Sequence, residues 1–269
     1  MTGPNAAHWR AVRDELARWH ARGQRARFWL RDDDAVTVTP ALVQLMEMCG
    51  EVGVTPLIAV IPAQVREDLA DYLNAAPASE VAVHGWSHIN HATAGSKSQE
   101  FPVHRPRQDT LAELGQAAAR LGAMFASRIT PIYVPPWNRI APEVAALLPD
   151  LGFRAVSAFG RKPLFADEAP LVELNTHVDV IDWRGTRGGR DPERLALELA
   201  QELVWSREND WSPVGILTHH LVHDAQAWQF LRELFAETAA HPDVCWCRAG
   251  ELVGRAPACP PTQASSCHC

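Results

Sequence analysis

The sequence predicts an α/β fold in which a mostly parallel sheet is covered by helices. Short apolar segments of strand length alternate with longer segments of helical periodicity along most of the chain. The short segments are apolar on both faces, which is typical of parallel strands buried under helices. About seven or eight such strand–helix units in 269 residues indicate a closed or nearly closed barrel rather than an open sheet.

The predicted strands are short apolar runs that end at polar or proline-containing turns. In chain order they lie at 28–30, 56–61, 80–83, 132–134, 154–157, 177–181, 214–217 and about 244–246. The predicted helices have apolar residues three and four positions apart. They lie at 8–21, 40–50, 63–73, 108–125, 142–148, 190–205 and 225–239. Thr39 and Pro40 fit the N-cap and first-turn positions of the second helix.

Composition limits the class of protein. Hydrophobic residues make up 47% of the chain, so residues 1–255 are expected to form one barrel domain with a substantial core. Residues 256–269, rich in Pro, Ser and Cys, are expected to be a disordered tail. The net charge of −7 argues against nucleic-acid binding. Because no apolar run has the length of a membrane span and residues 1–10 lack the apolar region of a signal peptide, we expect a cytoplasmic protein.

Candidate functional residues lie at the carboxyl ends of predicted strands. Asp32-Asp33-Asp34 follows the first strand, and His84-Gly85-Trp86-Ser87-His88 follows the third. Two histidines and a carboxylate can hold a divalent metal and leave one coordination position open. Trp137, Asp182 and His219 also follow predicted strands, and active sites of α/β barrels form at this edge. The sequence therefore predicts a metal-dependent hydrolase.

Five segments, taken in order, resemble the motifs of the polysaccharide deacetylase family, whose members share the NodB-homology domain. They are FWLRDDD at 28–34, HGWSH at 84–88, YVPPW at 133–137, DVIDW at 179–183 and ILTH at 216–219. The fold that this resemblance implies is a distorted (β/α) barrel. The activity that it implies is removal of an acetyl group from an N-acetylated sugar or related amide, so the partner would be a carbohydrate or small-molecule substrate.

The resemblance also implies roles for individual residues. The divalent ion, with zinc preferred and cobalt or nickel as alternatives, would be held by Asp34, His84 and His88. Asp33 would be the general base that takes a proton from the attacking water, and His219 would protonate the departing amine. Asp182 would be the catalytic aspartate of the fourth motif.

The Asp triplet leaves the register of the first motif open by one residue. We prefer Asp33 and Asp34 as the functional pair because this choice places Phe28, Leu30 and Asp32 on one strand face. His220 would then point to the opposite side from His219, and it is given no role.

The third motif departs from the family pattern at Val134. The family has an arginine at this position, which pairs with the fourth-motif aspartate and helps to tune the base. Arg31, Arg139 or Arg184 could supply the charge from another backbone position. If none of them does, activity on ordinary deacetylase substrates is in doubt.

Further substrate contacts are predicted around these motifs. Trp137 could stack on a sugar ring. The remaining candidates are Pro135, Arg139, His91 and Glu100, of which Glu100 is expected to contact either the substrate or the residues around the metal ligands. A solvent-facing loop position is an equally good interpretation of His91.

Two other functions fit the same residues. One is an allantoinase-like hydrolase that acts on a small linear or cyclic amide. The other is a catalytically inactive barrel that binds carbohydrate or metal, which the change at Val134 would favour.

Overall fold

A computed structural model describes residues 7–76, 78–165 and 170–254 of the chain. The predicted tail at 256–269 lies outside the described residues. Within them, nine strands form one sheet in which every strand pair is parallel. The strands are β1 (Ala26–Ala35), β2 (Leu57–Val60), β3 (Glu80–His84), β4 (Ile129–Val134), β5 (Ala155–Val156), β6 (Val172–Glu173), β7 (Val178–Asp179), β8 (Val214–Thr218) and β9 (Val244–Trp246).

The helices alternate with these strands along most of the chain. They are α1 (Arg10–Ala21), α2 (Pro40–Glu51), α3 (Glu67–Ala75), α4 (Arg107–Phe125), α5 (Pro142–Ala145), α6 (Pro192–Glu208), α7 (Ala225–Thr238) and α8 (Ala249–Gly254). Helix α2 begins as predicted, because the Thr39 hydroxyl accepts the Leu42 amide at 3.1 Å and Pro40 occupies the first turn. No helix in the described ranges combines the length and apolar character needed to span a bilayer.

The sheet curls into a distorted barrel, which confirms the predicted fold class. Its strand order is β6-β5-β4-β3-β2-β1-β8-β7, with β9 paired to the start of β1. The two end strands, β6 and β7, follow each other in the chain. Between them, the Thr176 amide donates to the Ala158 carbonyl at 3.0 Å and the His177 amide donates to the Gly215 carbonyl at 2.7 Å. The segment 172–179 therefore connects the two ends of the sheet.

Strand β1 lies at the centre of the sheet and is longer than the predicted 28–30. It pairs with β2, β8 and β9. Along it, Phe28 and Leu30 pack among the residues under the helices, whereas Trp29 packs with the small and aliphatic residues of β2–β5. Because side chains alternate across a strand, Arg31 and Asp33 follow Trp29 on the inner face and Asp32 follows Phe28 and Leu30 on the outer face. This alternation decides which partners each aspartate can reach.

The other differences from the predicted elements involve short or irregular segments. The helix predicted at 63–73 begins at Glu67, and the helix predicted at 142–148 ends at Ala145. The strand predicted at 177–181 has two residues in β7. Strand β6 could not be predicted, because two residues carry no periodic signal. Helix α8 could not be predicted either, because its six residues are too few to show a helical repeat.

Candidate active site

Three potential metal ligands converge at the carboxyl ends of β1 and β3. The Oδ1 atom of Asp34 lies 3.1 Å from Nε2 of His84 and 3.4 Å from Nε2 of His88. The potential ligand atoms of the three residues all lie within 4.8 Å of one another. Two imidazoles and one carboxylate form a donor set that suits a divalent transition metal and leaves positions open for other ligands. The residues present therefore fit the divalent ion that the sequence predicts.

The local backbone conformation and one backbone carbonyl direct these three side chains toward the same point. Nδ1 of His84 lies 3.0 Å from the Val134 carbonyl oxygen. Donation from this nitrogen to the carbonyl leaves Nε2 of His84 facing Asp34 as a potential ligand. Asp34 and His88 both have positive φ angles, 72° and 58°, so each residue turns out of the extended direction. Val134 thus contributes through its carbonyl oxygen, in the motif position where the family has an arginine.

Glu100 holds the loop that carries His88. Its side chain is buried, and it accepts hydrogen bonds from the amides of Trp86 (3.0 Å), Ser87 (2.6 Å) and His88 (2.9 Å) and from the Ser87 hydroxyl (3.0 Å). This placement fits the second of the two roles expected for Glu100, a contact to the residues around the potential metal ligands, rather than a substrate contact, because these loop donors occupy both carboxylate oxygens. Glu100 instead positions the metal-ligand loop.

Gly85 allows this loop to lie close to its supports. Its φ angle is 61°, and a Cβ atom added there would lie 2.0 Å from Glu100 Oε2 and 2.5 Å from Pro136 Cγ. Both the backbone angle and the lack of space require glycine. On the other side of the loop, the His88 ring lies 4.4 Å from the Trp137 ring.

The charges at the ligand cluster affect each other. Burial opposes ionisation of Asp34, but its hydrogen bond to His84 and the nearby histidines hold the pKa of Asp34 below its ordinary value. Burial also opposes charge on His84, but Asp33 and Asp34 raise the pKa of His84 overall. Burial and the neighbouring His84 lower the pKa of His88. The carboxylate is therefore ionised at neutral pH, as a metal ligand must be.

Asp33 pairs with Arg31 inside the barrel. Nε of Arg31 lies 2.9 Å from Oδ1 of Asp33, and Nη2 donates to Oδ2 at 3.0 Å. Arg31 is fully buried, and its other donors reach the Ser157 carbonyl and hydroxyl (both 2.7 Å), the Ala158 carbonyl (3.2 Å) and Oδ1 of Asn138 (2.6 Å). Of the three arginines that could replace the missing third-motif arginine, Arg31 is the one that contacts the predicted base.

His219 follows β8 and faces the same carboxylate. Its Nε2 atom lies 3.8 Å from Oδ2 of Asp33, and the Trp183 ring packs edge-on at 4.6 Å. Nδ1 of His219 is buried and has no hydrogen-bond partner among the residues that the structure describes. The imidazole of His219 and the carboxylate of Asp33 therefore lie side by side at the cleft.

Asp32 contacts the residues on both sides of His219. Its Oδ2 atom accepts the Thr218 hydroxyl at 2.7 Å and the His220 amide at 2.9 Å, and its Oδ1 atom contacts Nδ1 of His220. Burial opposes the charge of Asp32, but His220 lowers the pKa of Asp32 below its ordinary value. The expectation that His220 has no role is therefore wrong, because its imidazole pairs with the outward-facing aspartate of β1.

The structure gives Asp182 a different place from the one predicted. Its carboxylate accepts the Gly185 amide at 3.0 Å and the Thr186 amide at 3.3 Å. These bonds stabilise the loop that follows β7. The predicted catalytic role does not fit this placement, because the Asp182 oxygens are directed at the loop backbone and the residue does not line the cleft beside His219.

Asp179 lies at the site in place of Asp182. It ends β7, and its carboxylate accepts the Ile181 amide at 3.0 Å and Nε1 of Trp183 at 2.9 Å. Burial raises the pKa of Asp179 above its ordinary value, and the nearby His219 opposes part of this shift. Asp179 could have been predicted from its position at the carboxyl end of the strand, where active-site residues of α/β barrels lie. Asp182 lies three residues further on.

These residues line a cleft of about 680 Å³. Trp137 and Arg139 line it, as the sequence predicts. Pro135 is buried and does not line the cleft, nor does His91, so neither is placed to contact a substrate there. The lining also includes residues that the sequence analysis did not assign to substrate, namely Asn138, Phe159, Asp179, Trp183, Arg184 and Arg187.

Comparison with known proteins identifies the fold. No family model and no curated protein matches the sequence. Among solved structures, a Mycobacterium smegmatis protein inferred to be a polysaccharide deacetylase has a TM-score of 0.62 at 18% identity, over 86% of this chain and 90% of that one. A family 4 carbohydrate esterase from Streptomyces lividans, in complex with acetate, has a TM-score of 0.53 at 15% identity, over 82% of this chain and 91% of that one.

A third similar structure is a mutant of a CE4 family pseudoenzyme with restored enzymatic activity. Its TM-score is 0.56 at 14% identity, over 86% of this chain and 68% of that one. Active and inactive proteins therefore share this architecture, and the residues of the site must decide between them. The chain has the distorted-barrel fold of the CE4, NodB-like polysaccharide deacetylases, at a sequence identity that makes it divergent from all three.

Proposed function

We propose that the chain is a metal-dependent deacetylase that removes an acetyl group from an N-acetylated carbohydrate. The observation that carries the proposal is the convergence of Asp34, His84 and His88 beside the buried pair of Asp33 and Arg31. An inactive barrel would have no need to bury a carboxylate next to a potential metal site, since burying charge is costly.

Different residues of the cleft have different roles in amide hydrolysis. Asp34, His84 and His88 would hold a divalent ion, which would supply a Lewis acid and lower the pKa of a water molecule toward neutrality. Asp33 takes the proton from the attacking water, and Arg31 keeps its carboxylate oriented through two contacts. His219, 3.8 Å from Asp33, donates a proton to the departing amine.

The cleft walls favour a sugar over a small amide. Trp137, Phe159 and Trp183 line the cleft, and Phe159 and Trp183 are 42% and 43% exposed. Exposed aromatic rings in a polar cleft can stack on the apolar face of a sugar ring. A small linear or cyclic amide would leave these rings in water.

The test combines metal analysis with an acetate-release assay. The purified protein should contain about one divalent ion per chain, and N-acetylated mono- and oligosaccharides should release acetate when zinc, cobalt or nickel is added. Asp33→Asn should keep the metal and lose at least about 100-fold in kcat, because general base catalysis contributes about this much. Asp71→Asn, a change at an exposed position of α3, is the matched control and should leave both properties unchanged. Sugar binding without acetate release from any substrate would instead establish an inactive carbohydrate-binding barrel.

A further inference from the structure

The rim of the cleft carries three arginines that form no ion pair within the described part of the chain. Arg139, Arg184 and Arg187 all line the cleft. None of them forms an ion pair with a carboxylate in the described part of the chain, and Arg139 instead donates to the Ser98 carbonyl at 2.9 Å. Other arginines of the described ranges, such as Arg154, also form no ion pair, so the distinctive feature of these three is that their side chains line one cleft.

The aspartates that line the cleft do not form ion pairs with these arginines within the described residues, because each aspartate already has other partners. Asp33 pairs with the buried Arg31. Asp34 lies between the two ligand histidines, and Asp179 accepts from Trp183 and from a backbone amide. Although the lining contains three aspartates and three arginines, the arginines are therefore not paired with these aspartates, and a divalent ion at the ligand cluster would add positive charge to the cleft.

Arg184 and Arg187 belong to a turn held by internal hydrogen bonds, which we call the rim loop (residues 182–189). Within it, the Asp182 amide donates to the Gly188 carbonyl and the Arg187 amide donates to the Asp182 carbonyl, both at 2.9 Å. The Asp182 carboxylate accepts two further amides of the loop. A Cβ atom at Gly189 would lie 2.4 Å from the Ala227 amide nitrogen, so the end of the loop is packed closely against the start of α7.

We propose that the substrate carries an anionic group, a carboxylate or a phosphate, attached to the N-acetylated sugar and bound by Arg139, Arg184 and Arg187. Guanidinium groups recognise both anions through paired N–H donors. The aromatic side chains between the rim and the ligand cluster would hold the sugar ring. The inference rests on the proposed function for the acetyl group, but its claim about charge is tested by binding alone.

The test compares sugars that differ in charge. Binding of N-acetylglucosamine, N-acetylmuramic acid and N-acetylglucosamine 6-phosphate is measured by calorimetry on the full chain, both metal-free and zinc-loaded. At least one charged sugar should bind about tenfold more tightly than the neutral one, and the preference should weaken as salt is added. The better of the two charged sugars identifies the anion as a carboxylate or a phosphate.

Substitutions then assign the preference to the rim. Arg184→Gln and Arg187→Gln should each lower the affinity for the charged sugar about fivefold, the effect expected of an exposed ion pair, and leave the neutral sugar unaffected. Arg154→Gln is the matched control, because Arg154 is exposed at the start of β5, the opposite end of the barrel from the cleft. Equal binding of neutral and charged sugars, absence of binding by all three, or a preference that survives both substitutions would overturn the inference.

The same data separate this inference from the proposed function. If no sugar releases acetate but the charge preference depends on Arg184 and Arg187, only the deacetylase proposal fails. If neutral and charged sugars are deacetylated and bound equally well, only the anionic-substrate inference fails.

Discussion

Replacing Arg31 by methionine should destabilise the chain, because it leaves the Asp33 carboxylate buried without its cation. Both residues are at most 2% exposed, so water cannot replace the lost partner. Removing one member of a buried ion pair costs about 3–5 kcal/mol. Here the carbonyl groups of Ser157 and Ala158 also lose a donor. We expect the free energy of unfolding to fall by about 4 kcal/mol, a large part of the 5–15 kcal/mol typical of a folded protein.

A double-mutant cycle separates the pair from its surroundings. Asp33→Asn alone should cost less than Arg31→Met, because Arg31 keeps its acceptors on Ser157, Ala158 and Asn138. Combined, the two changes should cost at least about 1 kcal/mol less than their sum, because no unpaired charge is left buried.

Urea unfolding of the metal-free proteins at pH 7, followed by tryptophan fluorescence, measures all four corners of the cycle. A parallel cycle on Arg161 and Glu202, a more exposed pair 2.7 Å apart, should give less than about 1 kcal/mol. If the changes at Arg31 and Asp33 are additive within about 0.5 kcal/mol, Arg31 does not support Asp33 and the reasoning is wrong.

Three further predictions concern the metal, the loop that carries it and acid stability. His88→Ala should lower the affinity for zinc by more than about 100-fold in a chelator competition, because it removes one of three protein ligands. Glu100→Gln should lower it by about tenfold, because a donor NH₂ group replaces one of the oxygens that accept the loop amides. His177→Asn should make the protein less sensitive to acid. Burial lowers the pKa of His177 to about 3 in the folded chain. Below about pH 6.5 the unfolded chain therefore binds a proton at this residue that the folded chain does not, and the stability of the wild type falls. This residue should cost the wild type about 3 kcal/mol at pH 4 in pH-dependent urea unfolding.

Each of these has a matched control outside the relevant contacts. His91→Ala changes a histidine of the same loop that does not line the cleft, and it should keep full zinc affinity. Glu47→Gln and His104→Asn change exposed side chains and should be neutral for zinc affinity and for acid stability, respectively. Unchanged zinc affinity in the His88 or Glu100 variant would contradict the ligand geometry. An unaltered acid transition in the His177 variant would contradict the linkage.

The positions of most strands along the chain and the strand ends at which the candidate site lies could be predicted from the sequence. Asp34, His84 and His88 follow strands, and parallel strands bring their carboxyl ends to the same edge. The alternation of side chains along β1 also supports a further prediction. It places Arg31 and Asp33 on one face, which makes Arg31 the arginine that can reach the base.

Other parts of the site depended on tertiary contacts that no local pattern reveals. Glu100 lies in a loop without periodicity, and its burial under the amides of residues 86–88 comes from the path of the chain. The length of β1 was underestimated because charged residues usually end a strand. Here Arg31 and Asp32 are buried with partners supplied by segments far away in sequence, and the backbone ladder continues through them.

The three consecutive aspartates show why adjacent carboxylates can be tolerated. Asp32 faces outward to His220, Asp33 faces inward to Arg31, and Asp34 turns to the ligand histidines. Each carboxylate therefore has its own partners, and repulsion between the three is offset locally.

The glycine at position 85 links parts of the site that are far apart in the chain. Glu100 and Pro136 both occupy the space that a side chain there would need, and Trp137 follows directly after Pro136. The loop that would hold the ion and the wall that would receive the sugar are therefore packed against each other. During divergence, a change in the ring-binding wall would have to preserve the coordination geometry or be accompanied by a compensating change beside it.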